Sequence, residues 1–132
     1  MKPLTHEWIQ KAEEDFEAAQ RLFRSRKVPL WNAVCFHAQQ CAEKYLKACL
    51  QESGLDIPKI HHLASLLDKL VASAPLLEAM RPGLTLLTNF AVEFRYPGES
   101  ATRDDAKQAV KICRHVRMAI REMLCGEQPP GR

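Results

Sequence analysis

An all-α protein, folded as an antiparallel up-and-down bundle of four to five helices, is predicted by three observations. Apolar residues recur every three or four positions in nearly every window; helix breakers fall between those windows; no stretch alternates apolar and polar as a strand would. The chain has 132 residues, is 46% hydrophobic and 27% charged, and so has the size and make-up of one ordinary globular domain. A chain this long can bury a core without disulfides or metal.

The first helix is expected to begin after Thr5, a good N-cap residue, and to reach about Ser25. Its stripe is Trp8, Ala12, Phe16, Ala19 and Phe23. Pro29 suits the start of a second helix, over residues 30–52, because its missing N–H costs nothing there. Val34, Ala38, Cys41, Tyr45 and Cys49 line one side of that helix, with Ala42 and Leu46 beside them. So wide an apolar arc places it at the centre of the bundle. Ser53-Gly54 ends it, and Asp56-Ile57-Pro58 keeps the chain extended.

A third helix carries Leu63, Leu66, Leu67, Leu70 and Val71 and stops near Pro75. A short turn around Leu76 to Met80 precedes Pro82-Gly83, which is expected to break or kink the chain. The fourth helix holds Leu84, Leu87, Ala91 and Phe94 and ends at Tyr96-Pro97-Gly98. The last opens at Thr102 with Asp105 three residues on, an acidic capping box. Its stripe is Ala106, Ala109, Cys113, Val116, Ile120 and Leu124, and Gly126 is a natural C-cap. Residues 1–126 thus form one domain, and the Pro/Gly-rich 127–132 are expected to be a disordered tail.

Function classes narrow by exclusion. No apolar run reaches membrane-spanning length and the N-terminus lacks a signal-peptide core, so a cytoplasmic protein with no membrane partner is expected. Five cysteines, odd in number and without a Cys-x-x-Cys pair, read as structural thiols, not as disulfides or a metal site. A net charge of +3 permits contact with phosphate without requiring it, and no long basic run points to RNA. A Walker loop, a dinucleotide fingerprint, His-Glu-x-x-His and G-x-S-x-G are all missing.

Three places could hold chemistry. On the second helix His37, Gln40, Lys44 and Lys47 share one side, with Gln39 and Glu43 next to them. Ammonium groups suit phosphate and amides suit base or ribose edges; equally, the row is an ordinary solvated face with Glu–Lys spacing. His61-His62 could cap the third helix or bond a neighbouring helix, and as adjacent residues they do not form a two-ligand metal site. Arg95 either neutralises helix-terminal carbonyls or, with Tyr96, makes a corner for phosphate and base.

The run Cys35-Phe36-His37-Ala38-Gln39-Gln40-Cys41-Ala42-Glu43-Lys44-Tyr45-Leu46-Lys47-Ala48 resembles the second-helix signature of HEPN domains. His61-His62-Leu63 is similar to that family's His-x-Leu element, and Arg95-Tyr96-Pro97 to its Arg-Tyr-Pro corner, in the family's order. The resemblance runs from the first helix to Leu124. It implies a bundle that dimerises through its helices and often partners a minimal nucleotidyltransferase, as accessory subunit or in a toxin–antitoxin pair. It also implies that His37, Gln40, Lys44, Arg95 and Tyr96 line a nucleotide or partner cleft, with His61 matching the pattern. ATP is a possible ligand, and no cofactor is required.

RNA-cleaving members carry an arginine followed, after four to six residues, by a histidine. None of His6, His37, His61, His62 and His115 has an arginine at that distance upstream. The resemblance therefore leans towards a non-catalytic binding protein. An RNA-cleaving toxin with a non-standard site is the alternative.

Overall fold

A computed structural model describes residues 1–126; the tail expected at 127–132 lies outside the described residues. The described chain runs α1 (Pro3–Arg24), α2 (Trp31–Glu52), α3 (Leu63–Asp68), a 3₁₀ turn (Pro75–Met80), α4 (Arg81–Glu93) and α5 (Arg103–Cys125), with no strand among the described residues. The helices pack as a bundle in which α2 touches α1, α3, α4 and α5. Its wide apolar arc explains that position: Val34, Ala38, Cys41, Ala42, Tyr45, Leu46 and Cys49 are all buried. Four cysteines lie in the core and only Cys125 is exposed. No described helix is long and apolar enough to cross a membrane.

Several expected boundaries shift. α1 starts at Pro3, with Lys2 rather than Thr5 at the N-cap, because proline is pre-shaped for a helix's first turn. Thr5 is instead fully buried inside the first turn, where its hydroxyl donates to Glu52 Oε1 at 2.9 Å. The Lys2 backbone N–H reaches the same oxygen at 3.0 Å, tying the start of α1 to the end of α2. Ile9 is more deeply buried than its stripe neighbours Trp8 and Phe23. α2 opens at Trp31, just past Pro29. α3 is six residues long, its run to Ser73 being completed by turns.

Pro82-Gly83 begins a helix instead of breaking one. Pro82 occupies the first turn of α4, where no N–H is needed. Gly83 lets α4 approach α5, since a Cβ there would sit 2.9 Å from Ile112 Cγ2. The α5 start is as read: Thr102 accepts from the Asp105 N–H and Asp105 accepts from the Thr102 N–H. Gly126 follows α5 with φ of 68°, a left-handed conformation suited to glycine.

Candidate functional site

The polar row of α2 divides between two buried carboxylates. Asp15 falls on the inner stripe of α1, between Ala12 and Ala19, and is 8% exposed. One of its oxygens meets His37 Nδ1 at 2.8 Å; the other accepts from Lys44 Nζ at 2.5 Å. A carboxylate only accepts, so Nδ1 carries the hydrogen, and in a neutral ring Nε2, on the far edge, is then the acceptor.

Glu43 anchors the second group. It is 4% exposed and accepts from Lys47 Nζ at 3.1 Å and from Gln39 Nε2 at 3.2 Å. His61 Nδ1 lies 3.0 Å from both Glu43 oxygens, and the Gln39 amide also donates to the His61 carbonyl. His61 thus clamps the segment before α3 onto α2, while three-quarters of its side chain stays exposed. Its neighbour His62 takes the other role expected of the pair, capping α3 by accepting from the Ser65 N–H. Gln40 attaches to this second group, its amide donating to Gln39 Oε1 at 2.9 Å. Lys47 is itself buried, so only part of the row faces solvent.

Arg95 and Tyr96 follow α4 and are both exposed. Arg95 lines a cleft of about 390 Å³ with Asn32, Ala33 and Phe36 from α2, Phe90 and Ala91 from α4, and Phe94 just after it. Phe90 and Phe94 stack with centroids 5.3 Å apart. Phe36, 45% exposed, sets its ring edge-on to His37 at 5.3 Å and so links the cleft to the Asp15 group. Asn32 is held by accepting the Ala101 N–H at 2.7 Å. Apolar walls with an arginine at the rim can take a flat aromatic group carrying negative charge. No group of histidine, cysteine, aspartate and glutamate among the described residues is arranged to hold a metal ion.

The structure therefore brings His37, Phe36 and Arg95 into one neighbourhood, with Lys44 behind His37 on Asp15. Lys47 and His61 belong to the separate Glu43 group, and Tyr96 is not among the cleft's lining residues. Spacing along the chain did not reveal Asp15, Asn32 or Phe36 as site residues. A signal for Asp15 was present, since it is a carboxylate on an otherwise buried helical stripe.

A third polar cluster lies between α1, α2 and α5. Glu13 takes a two-pronged contact from Arg117, at 2.6 and 2.7 Å, and accepts from the buried Tyr45 hydroxyl at 2.5 Å. Burial pushes the Glu13 carboxyl up, but Arg117, Tyr45 and Arg121 together hold it below its ordinary value. Burial raises the Tyr45 hydroxyl, which stays protonated. This cluster cross-braces three helices.

Fold and site together define a small helical-bundle protein with an aromatic, arginine-rimmed cleft beside a polar helix face. The HEPN domain family matches residues 5–123, and the chain belongs to that family. It is 27% identical to a candidate toxin, MJ1304, of Methanocaldococcus jannaschii, over 89% of this chain and 86% of that protein. Its fold is similar to the crystal structure of TT1696 from Thermus thermophilus, with a TM-score of 0.78 and 24% identity, covering 91% of this chain and 98% of the other. It is also similar to ST0689, an archaeal HEPN homologue, with a TM-score of 0.73 and 24% identity, covering 93% and 98%.

Proposed function

We propose that this HEPN protein is a homodimeric binding module that holds a nucleotide such as ATP and pairs with a minimal nucleotidyltransferase, as accessory subunit or toxin–antitoxin member. The observation that carries the reading is the cleft between Phe36 and Phe94 with Arg95 at its rim. Its volume lies within the range of small-ligand sites. In this reading the rings of Phe36, Phe94 and Tyr96 flank the base, and Arg95 takes phosphate as a planar fork. His37 and Gln40 extend the contacts along α2. Lys44, Lys47 and His61 act from behind, by holding Asp15, Glu43 and the segment before α3 in place.

The test is a fluorescence titration of the purified full chain with a labelled ATP analogue. Arg95→Ala should weaken binding by about tenfold to a hundredfold, the value of a lost charge-assisted hydrogen bond. Phe36→Ala should weaken it as well. Affinity unchanged in both variants would sink the nucleotide reading. For the partner, tagged protein from its native host should bring down a small nucleotidyltransferase in stoichiometric amount; recovery of the chain alone would overturn that pairing.

A second reading, RNA cleavage at a non-standard site, draws on the Asp15–His37 hydrogen bond. A carboxylate that orients an imidazole readies Nε2 to take a proton from a ribose 2′-hydroxyl as that oxygen attacks the adjacent phosphorus. The bond from phosphorus to the 5′-oxygen breaks, the 5′-oxygen takes a proton from water, and a 2′,3′-cyclic phosphate remains. The toxin-like name of the archaeal relative is compatible with it. This reading requires growth arrest on expression, abolished by His37→Ala. Arrest that persists in that variant, or no arrest at all, counts against it.

A further inference from the structure

The face that α5 shares with the end of α1 carries a concentration of positive charge that neither the cleft nor its supports use. On α5, Arg103, Lys107, Lys111 and Arg114 are all exposed and follow one another at intervals of three or four residues, on one side of the helix. The end of α1 lies against this stripe. Arg24 of α1 and Arg114 of α5 line one shallow depression with Gln20, Phe23 and Val110, and the Arg103 guanidinium sits 5.2 Å over the Phe23 ring. The bend after α1 adds Arg26 and Lys27, both exposed.

None of these seven cations makes an ion pair with a carboxylate among the described residues. The exposed Asp104, at the foot of the stripe, accepts from the Gln108 amide at 2.8 Å instead. The chain has nineteen lysines and arginines against sixteen aspartates and glutamates. With seven cations gathered here, the twelve others are outnumbered by the carboxylates. The small net charge is thus unevenly spread, and this face is positive apart from Asp104 and Asp105 at its foot.

We propose that this α1/α5 face binds the phosphodiester backbone of a nucleic acid. A row of one sign at fixed steps suits a polymer that carries a charge at every repeat. Four residues of helix rise about 6 Å, so Arg103, Lys107 and Lys111 form a ladder along α5. Unpaired cations can meet phosphates without first breaking a bond within the protein, and they gain by releasing the polymer's counterions. Arg103, steadied on Phe23, loses little freedom on binding. A membrane surface fits less well. The exposed apolar side chains nearby, Val28 and Leu30, belong to the connection into α2 and not to the stripe.

The experiment is fluorescence anisotropy of the full chain with a short labelled single-stranded RNA and with its DNA counterpart, across a salt series. Binding should weaken as salt rises, with a log–log slope of about −2 or steeper for three or more phosphate contacts. The triple variant Lys107→Glu, Lys111→Glu, Arg114→Glu should lose at least about tenfold in affinity. Lys107→Gln, Lys111→Gln, Arg114→Gln should flatten the slope by about 2. All three positions are exposed, and circular dichroism melts matching the parent would show that folding is intact. Tighter binding of the RNA assigns RNA as the ligand; equal binding assigns the backbone alone. Either outcome upholds the proposal. Absence of oligonucleotide binding, or binding that both triple variants leave unchanged, would overturn it. So would a preference for phosphatidylglycerol vesicles or polyglutamate over both oligonucleotides, which would assign the face to a membrane or an acidic protein.

Discussion

His37 Nδ1 and Asp15 Oδ1 lie 2.8 Å apart, joining the polar face of α2 to a carboxylate that α1 buries. Asp15 holds Lys44 through its other oxygen. One aspartate therefore sets the orientation of an imidazole and an ammonium group two turns apart on the neighbouring helix. Asp15→Ala should destabilise the fold by about 1–2 kcal/mol, since both partners are partly exposed and can turn to water. Nitrogen NMR shifts of His37 should report mainly the Nδ1–H tautomer in the parent and a mixture in the variant.

The Glu43–Lys47 pair is enclosed, with side chains 5% and 7% exposed. Removing one member of such a pair strands the other charge. Glu43→Gln should therefore cost about 3 kcal/mol in urea denaturation. The double change Glu43→Leu with Lys47→Met should recover much of that loss, because no buried charge remains. An equally unstable double variant would show that the Gln39 and His61 bonds dominate.

Gly83 is where α4 presses on α5. The added methyl of Gly83→Ala meets Ile112 Cγ2 at 2.9 Å, a branch fixed directly on Cβ that cannot swing aside. The better helix propensity of alanine, up to about 1 kcal/mol, is outweighed, and a net loss of about 1–2 kcal/mol is expected. In an Ile112→Ala background the same substitution should turn neutral or stabilising. A thermal-melt double-mutant cycle measures that change of sign.

Glu13 gives the stability an acid-side dependence. Its carboxyl is held below the ordinary 4.5, so the folded state favours the charged form. The stability it contributes is complete above the unfolded value and fades as pH falls below 4.5 through the depressed value. Parent and Glu13→Gln should differ in melting temperature near neutral pH and converge as the buffer is made more acid. A gap that stays constant would assign the effect to geometry alone.

Thiol reactivity should separate the cysteines sharply. Burial pushes Cys35 and Cys49 up to about 12, and Cys41 is raised by its hydrogen bond with Cys113 and by burial. Reaction needs an accessible thiolate, so Ellman's reagent should titrate only Cys125 in the folded chain and all five cysteines after denaturation. Fast reaction at a second thiol would reveal local opening of the core.

Much of the fold was legible because helices announce themselves locally. The α2 arc, the Thr102–Asp105 box and the glycine after α5 each depend on residues within a few positions of one another. Thr5 misled because its hydroxyl suits an N-cap equally well, and only the arrival of Glu52 commits it to a tertiary bond. Pro82 misled because proline stops a helix from within yet starts one at its first turn. The α2 row was visible as a row, and the Glu43–Lys47 spacing was legible in it, but not that this pair is buried, nor that Asp15 closes on Lys44.

By itself the sequence determined an all-helical bundle with α2 at its centre, cysteines serving as core residues, and the HEPN signature along α2. Tertiary structure alone decided that Asp15 orients His37, that Phe36 and Arg95 share a cleft, and that Arg24 meets Arg114 on one basic face. The physical reason is that helical periodicity fixes which residues share a face of one cylinder. Which faces then meet is set by packing between segments far apart in the chain.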